Sequence, residues 1–227
     1  MRNSHSSKSR SKAARGKTAI QKAPTPGRRE RRATQTRLKL FHVALRLFAE
    51  RGFQNVTVED ITEGADVGKG TFFNYFQSKD HVLGVMTELQ IAHVRNAVAA
   101  AASGKASIQH TLHRLFLSLA AEPGRSPNFA RTIIGSFLVS GVVREIIEGQ
   151  MREGRHLCAK VIAEGQRRGE IDRKLKSEEA ALEMQQLLLG TVLVWSLHGK
   201  PALKTWVEGS FRLFWRAIAA KGKGRKP

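Results

Sequence analysis

Residues 57–80 read TVEDITEGADVGKGTFFNYFQSKD, and the interpretation of the whole chain depends on this stretch. It predicts a short helix, a tight turn closed by Val67, and a second short helix from Gly68 or Lys69 to Tyr75. The second helix opens on small residues and carries aromatic residues. This layout is typical of a helix-turn-helix, whose second helix enters the DNA major groove with its N-terminal residues at the base edges.

The segment before this motif predicts an amphipathic helix from Thr34 to Arg51, because its apolar residues form one stripe at helical spacing. Gly52 can take the left-handed conformation that ends a helix. Thr57 has the chemistry of an N-cap, and Asp60 three residues later completes a capping box. The three helices predict a head over residues 33–80, with Phe72 and Phe76 in its core.

Downstream of the head, apolar residues again recur at helical spacing and few segments favour strands. A fourth helix is predicted from Ser78 to about Ala102, followed by helices at roughly 105–121, 127–139, 142–167, 178–198 and 202–220. The predicted fold class is therefore all-α. A three-helix head precedes a helical body at 81–220, with about nine helices in total.

The chain has 227 residues and a formal charge of +20, but most of that charge lies in two tails. Residues 1–32 hold eleven Lys/Arg against one acid, residues 221–227 hold four, and both segments are predicted to be disordered. Residues 33–80 are balanced, with six basic and six acidic side chains. The arm, including Arg31 and Arg32, is therefore expected to supply long-range attraction to DNA phosphates. A solvated tail, or a start codon placed too early, is the alternative.

Several other classes of protein are disfavoured by the sequence. A single cysteine, Cys158, excludes a disulfide within the chain and suits a reducing cytoplasm. The longest uncharged runs, Thr132–Val143 and Leu187–His198, are shorter than the roughly 20 residues that span a bilayer. No metal-ligand set, phosphate loop or nucleophile motif is apparent. We expect a soluble, cytoplasmic protein that is not an enzyme and needs no cofactor or metal.

Four motifs in this region match a known family in one register. They are Phe-Ala-x-Arg-Gly-Phe at 48–53, Thr-Val-x-Asp-Ile at 57–61, Lys-Gly-Thr-Phe-Phe-x-Tyr-Phe at 69–76 and Ser-Lys-Asp at 78–80. This pattern strongly resembles the DNA-binding domain of the TetR (tetracycline-repressor-like) bacterial regulators. The resemblance extends more loosely over the body, through GQRRGEID at 165–172 and Trp195. It implies a homodimer that binds a palindromic operator, usually as a repressor, and is released by a small molecule.

The first residues of the predicted recognition helix are the candidates for contact with DNA bases. Lys69 is placed to contact a phosphate or a guanine edge, and Thr71 a base edge, a phosphate or a thymine methyl group. Gly70 has no side chain, which lets the backbone approach DNA closely. Asn74, one turn later on the same face, is placed to contact an adenine or a phosphate.

The resemblance adds further DNA contacts outside the start of that helix. It places Thr57 and Lys79 on phosphates, where they set register rather than sequence preference. Tyr75 lies where the family often has His or Tyr near the DNA backbone. Phe73 replaces a usual tyrosine, and the sequence leaves open whether its ring contacts DNA or is half-buried.

In the body, the resemblance places dimerisation on the helices at 178–198 and 202–220. These helices carry more apolar surface than one small core needs, although wholly intramolecular packing is the alternative. The family's ligand pocket lies among helices four to eight, and its apolar candidates favour a hydrophobic effector. The same residues would also suit a plain core. The candidates are Phe116, Phe129, Ile133, Phe137, Met184, Leu188 and Trp195, with Ser136 or Thr191 as polar groups.

The sequence thus predicts a dimeric DNA-binding transcription factor, released from a palindromic operator by a hydrophobic small molecule. Two other functions stay open. One is a DNA binder, architectural or activating, that needs no effector and is dominated by its basic arms. The other is a helical adaptor for protein partners in which the head has lost its role.

Overall fold

The computed structural model describes residues 27–220, and within them the chain is almost entirely helical. In residues 27–220, nine α-helices and one short 3₁₀ helix (Pro123–Arg125) follow one another through short loops. The α-helices are α1 Arg28–Arg51, α2 Val58–Gly64, α3 Lys69–Phe73, α4 Lys79–Ser103, α5 Ile108–Ala121, α6 Pro127–Val139, α7 Gly141–Arg168, α8 Ser177–His198 and α9 Leu203–Ile218. The predicted all-α fold with about nine helices is confirmed.

Helix α1 begins at Arg28, which is six residues before the predicted start at Thr34. The Glu30 carboxylate accepts a hydrogen bond of 2.8 Å from the Gly27 backbone N–H, and this caps the helix. Arg31 and Arg32, predicted to lie in a disordered arm, are therefore exposed residues of a helix. The prediction from the apolar stripe missed this extension, because residues 28–33 are all polar or small. The rest of the arm, 1–26, and the tail, 221–227, lie outside the described residues.

The core of the head forms where α1, α2 and α3 meet the start of α4. Phe41, Phe48, Ile61 and Phe72 are completely buried, and Phe76 is nearly so. The prediction that Phe72 and Phe76 belong to the core is confirmed. This apolar cluster continues into the body, through residues of α6 and α7 that include Phe129, Ile133, Val143 and Ile147. The head is therefore packed on the body through shared side chains.

A second core fills the body between α5, α7, α8 and α9. The Phe116 ring lies 5.3 Å from that of Phe211 and 5.6 Å from that of Phe214, measured between ring centroids. Gly165 on α7 allows close approach, because a Cβ there would lie 2.6 Å from a methyl group of Ile171. Close packing at this point brings the connection after α7 against the end of α9, where Ile171 pairs with Ala219.

Candidate nucleic-acid interface and internal cavity

The first helix of the helix-turn-helix is fixed by a capping box, as its sequence predicts. The Thr57 hydroxyl accepts a hydrogen bond from the Asp60 backbone N–H at 3.1 Å, and the Asp60 carboxylate accepts the Thr57 backbone N–H at 2.7 Å. The Thr57 hydroxyl also donates to Asp60 at 2.6 Å. These bonds lower the pKa of Asp60 below its ordinary value. The Thr57 hydroxyl proton is thus donated to Asp60 and not to a partner outside the protein. The phosphate contact predicted for Thr57 stays a prediction.

The turn between α2 and α3 directs one side of α3 outward. The Val67 backbone N–H donates to the Thr62 carbonyl at 3.0 Å, and Asp66 adopts a positive φ of 51°. Phe72 anchors α3 in the core of the head. As a result Lys69, Gly70, Phe73 and Asn74 are exposed and Thr71 is partly exposed.

Lys69, the first residue of α3, forms an ion pair with Glu59 of α2 in the free protein. Hydrogen bonding to the Lys69 ammonium lowers the pKa of the Glu59 carboxyl group. Both side chains are more than half exposed, so the pair is weak and exchangeable. Lys69 therefore keeps the freedom to exchange this carboxylate for another anion.

Gly68 and Gly70 form the exposed end of α3, and nothing inside the protein requires either of them to be glycine. A Cβ added at either position would meet no atom within 4 Å. Neither residue has a positive φ. By contrast, Gly165 is required by its neighbours. The fold therefore leaves room for a larger side chain at both positions.

Two aromatic residues of the motif have different positions: Phe73, which the sequence left open, and Tyr75, which the resemblance placed near the DNA backbone. Phe73 is 50% exposed, and its ring makes an edge contact with Phe72 at 5.5 Å between centroids. The ring is therefore a half-exposed apolar surface beside Lys69 and Asn74. Tyr75 is partly buried and packs against the core of the head.

Lys79 has a structural role that its sequence position did not indicate. Its ammonium donates to the backbone carbonyls of Phe53, Gln54 and Val56 at 2.9, 3.1 and 2.8 Å. It also lies 5.0 Å from the centroid of the Phe53 ring. An ammonium has three N–H donors, so all of them are used within the protein. In this conformation Lys79 holds the α1–α2 connection, and its predicted phosphate contact stays a prediction.

Helix α6 supplies another tie to the same region of the head. The Asn128 side-chain amide donates to the Ala49 carbonyl near the C-terminus of α1 at 2.6 Å. On the next turn of α6, the Arg131 guanidinium donates to the Ser196 carbonyl on α8. One helix therefore contacts both the end of α1 and the end of α8.

An internal cavity of about 210 Å³ lies between α4, α6, α7 and α8. Four of the residues predicted for a pocket line it, namely Ile133, Phe137, Met184 and Leu188. The other three are core residues that do not reach it. Phe116 packs in the body core, Phe129 in the core shared with the head, and Trp195 donates its indole N–H to the Pro201 carbonyl at 2.9 Å.

The polar groups of the cavity also differ from those expected. Ser136 bonds the Ile133 carbonyl and Thr191 bonds Leu187 and Ser210, so neither lines the cavity. The wall contains instead Thr87 and Gln90 of α4, Gln150 and Arg155 of α7 and Gln185 of α8. Periodicity did not reveal these residues, because a single polar residue on an apolar helix face resembles an ordinary surface position.

Cys158 also lines the cavity, and its environment is apolar. Burial raises the pKa of its thiol to about 12. The thiol therefore stays protonated near neutral pH and is a poor nucleophile.

Helices α8 and α9 carry five large apolar side chains that are exposed, which we call the α8–α9 face. They are between 39% and 66% exposed and are Leu189, Leu193, Val194, Leu197 and Leu213. Among the described helices, α8 alone is long and apolar enough to cross a membrane, and only 39% of its most apolar window is buried. A helix of this kind is weak support for a membrane span, since helices of soluble proteins meet the same criterion.

The arrangement described so far defines a helix-turn-helix head on a helical body with a cavity, and sequence comparison agrees. The family model for bacterial regulatory proteins of the tetR family matches residues 40–86. The HTH-type transcriptional regulator TcmR of Streptomyces glaucescens is 44% identical over 57 residues, 25% of each chain. The repressor DhaR of Mycobacterium sp. (strain GP1) is 43% identical over 47 residues, 21% of this chain and 24% of that protein. The chain thus aligns with about a quarter of the length of these relatives.

Solved structures share the fold across the whole body. The fatty acid degradation regulator FadR from Bacillus halodurans superposes with a TM-score of 0.68 at 19% identity, over 85% of this chain and 97% of that one. SmeT, the efflux-pump repressor of Stenotrophomonas maltophilia, superposes with a TM-score of 0.67 at 18% identity, over 84% of this chain and 94% of that one. At these identities the likeness shows the fold alone. The head sequence therefore matches the tetR family model, and the rest of the chain shares the fold of these two regulators.

Proposed function

We propose that this protein is a homodimeric DNA-binding transcription regulator that represses from a palindromic operator and is released by a small-molecule effector. It would act in the cytoplasm. The supporting observation is the start of α3, where Gly68 and Gly70 are exposed and an added Cβ would meet no atom within 4 Å. Beside them lie an exchangeable lysine and a half-exposed phenylalanine. This is the surface that a recognition helix needs in order to bring its backbone against a major groove.

Residues on this face would divide into two kinds of contact. Lys69 would exchange Glu59 for a phosphate or a guanine edge, and Thr71 and Asn74 would contact base edges or phosphates. Phe73 would pack on a sugar or a thymine methyl group. Residues 28–80 hold ten basic against seven acidic side chains, so Arg31 and Arg32 in α1 give the head a positive balance.

The exposed face of α8 and α9 supports the dimer. Leu189, Leu193 and Leu197 recur every four residues on α8, and all three side chains are exposed. Exposed apolar surface marks association sites where it is contiguous. A two-fold axis through this face would present two α3 helices to half-sites about one helical turn, roughly 34–36 Å, or a multiple of it apart.

Effector release would proceed through a shift of population between two spacings of the heads. Helix α6 carries several cavity residues, among them Ile133 and Phe137, and also Asn128, which bonds the end of α1. A molecule that displaces the cavity wall would therefore also act on the head. Two proteins of this fold have been solved with bound small molecules. The FadR of Thermus thermophilus was solved with lauroyl-CoA, and SmeT was solved with triclosan. Both of these molecules have a large apolar part, which agrees with an effector that fills an apolar cavity.

The test uses two glycines that differ only in location. Gly70→Ala and Gly149→Ala each add a Cβ that meets no atom within 4 Å, and each replaces a helical glycine. Both changes are expected to keep or raise stability, because alanine favours helix by about 1 kcal/mol. Genome-fragment selection, followed by footprinting of the best fragment, would provide the operator for affinity measurements.

We expect Gly70→Ala to lower operator affinity at least tenfold, since its methyl group separates the backbone from the groove. Gly149→Ala should bind as the unmodified protein does. Equal affinity of both variants would contradict the assigned face. Recovery of fragments without a common palindrome would favour the arm-driven binder instead, and recovery of none would favour the adaptor.

A further inference from the structure

Two glutamine side chains give the cavity a hydrogen-bonding capacity that the protein leaves unused. The amide oxygens of Gln90 and Gln150 are buried and accept no hydrogen bond within the described residues. The orientation of Gln90 is fixed, because its amide nitrogen donates to the Leu119 carbonyl at 3.2 Å. Buried acceptors without a donor are uncommon, since each loses its interactions with water and receives nothing in return.

Arg155 gives one side of the same cavity a positive charge. It lines the cavity and also an adjoining surface groove, whose wall includes Glu148 and Arg152. The guanidinium has no ion pair among the described residues, and no Asp or Glu lines the cavity. The opening of a mainly apolar cavity therefore carries a cation that forms no ion pair among the described residues.

The spacing of these groups limits the shape of a ligand. Gln150 and Arg155 are five positions apart on α7, which corresponds to about 7.5 Å along the helix axis. Apolar side chains of α4, α6 and α8 surround the space between them, among them Ile91, Ile133 and Met184. A complementary molecule has an apolar body, a hydrogen-bond donor at one end and an anionic group at the other.

We propose that the cavity binds an amphipathic anion that donates a hydrogen bond, such as a hydroxylated carboxylic acid. The donor would meet the Gln90 and Gln150 amide oxygens inside, and the carboxylate would meet Arg155 at the opening. This inference rests on the proposed function for its biological role. Binding itself can be measured without DNA.

The test compares three probes of similar length in calorimetry and thermal-shift assays on the full chain. They are ω-hydroxydecanoate, which has both groups, decanoate, which has only the anion, and decyl alcohol, which has only the donor. We expect ω-hydroxydecanoate to bind at least about tenfold more tightly than either of the others, because one well-placed hydrogen bond or ion pair contributes about that factor.

Two variants then show which residue provides the added affinity of the hydroxyl group and which provides that of the carboxylate. Gln150→Met should weaken ω-hydroxydecanoate and decyl alcohol and leave decanoate unchanged. Arg155→Gln should weaken both acids and leave the alcohol unchanged. Gln186→Met and Arg152→Gln, at residues that line the adjoining groove and not the cavity, are the matched controls. Equal losses for all probes, or no binding by any of them, would overturn the proposal.

The stability of the unliganded protein gives an independent readout. Gln150→Met replaces an unpaired buried amide by an apolar side chain of similar size, so its melting temperature should rise while its affinity for ω-hydroxydecanoate falls. A lower melting temperature would indicate a structural glutamine and contradict a ligand role. Operator binding without probe is measured separately, so failure of the ligand proposal and failure of DNA binding are distinguishable.

Discussion

The lysine at position 79 offers the sharpest separation of a structural role from a DNA-binding role. Its motif predicts a phosphate contact, whereas the structure uses all three of its N–H donors on the carbonyls of Phe53, Gln54 and Val56. The change to make is Lys79→Met, which keeps the length of the side chain and removes the charge. Lys69→Met is the matched control, because that ammonium bonds only an exposed carboxylate.

The expected cost of Lys79→Met can be worked from its bonds. A hydrogen bond to a charged group contributes about 1.5–3 kcal/mol. The carbonyls of Phe53 and Val56 are partly buried and would stay unpaired, while that of Gln54 is exposed and can bond water. We therefore expect a loss of about 3 kcal/mol in the free energy of unfolding. For a chain of this size, that lowers the melting temperature by roughly 6–12 °C.

The assay is thermal unfolding at one fixed protein concentration, followed by operator affinity at a temperature where both variants are folded. Lys79→Met should melt early and retain most of its affinity when folded. Lys69→Met should melt with the unmodified protein and bind the operator more weakly. The reverse pattern, a stable Lys79→Met that no longer binds, would refute the structural assignment and favour the phosphate contact.

Three further predictions address the cap, the dimer and the link between head and body. Thr57→Ala should lower the free energy of unfolding by about 1 kcal/mol and raise the pKa of Asp60 in an NMR titration. Because the pKa of Asp60 is lowered in the folded protein, its carboxylate stabilises the fold above the ordinary pKa of 3.8. That stabilisation is lost as the pH falls through the lowered pKa. Leu197→Glu should yield monomers in sedimentation velocity, whereas Leu138→Glu, at a position 75% exposed outside the α8–α9 face, should leave the mass unchanged. Asn128→Ala should lower the free energy of unfolding by about 1 kcal/mol in chemical denaturation, because an α1 carbonyl loses its partner.

Much of the head was predictable because its signals are local. The Thr57–Asp60 capping box, the glycine at position 52 and the burial of Phe72 each depend on residues within a few positions of one another. The helix-turn-helix and its exposed start at Lys69 follow from these signals. The early start of α1 at Arg28 was missed, because a polar helical extension carries no apolar stripe.

The cavity was predicted only in part, for a different physical reason. Ile133 and Met184 lie on apolar helix faces that periodicity detects, but so do Phe116 and Trp195, which pack elsewhere. Periodicity shows that a face is buried and does not show which neighbour it meets. The unpaired amide of Gln150 could not be recognised at all without knowing what surrounds it.

The sequence by itself determined the helices, the helix-turn-helix and the family resemblance of the head, since capping and helical spacing are properties of neighbouring residues. Only the tertiary structure decided the partners of long side chains and the walls of the cavity. Lys79 reaches back 26 residues to the Phe53 carbonyl, and Asn128 reaches 79 residues to Ala49. Contacts over such separations depend on how helices pack, and packing is set by the shape of the assembled core.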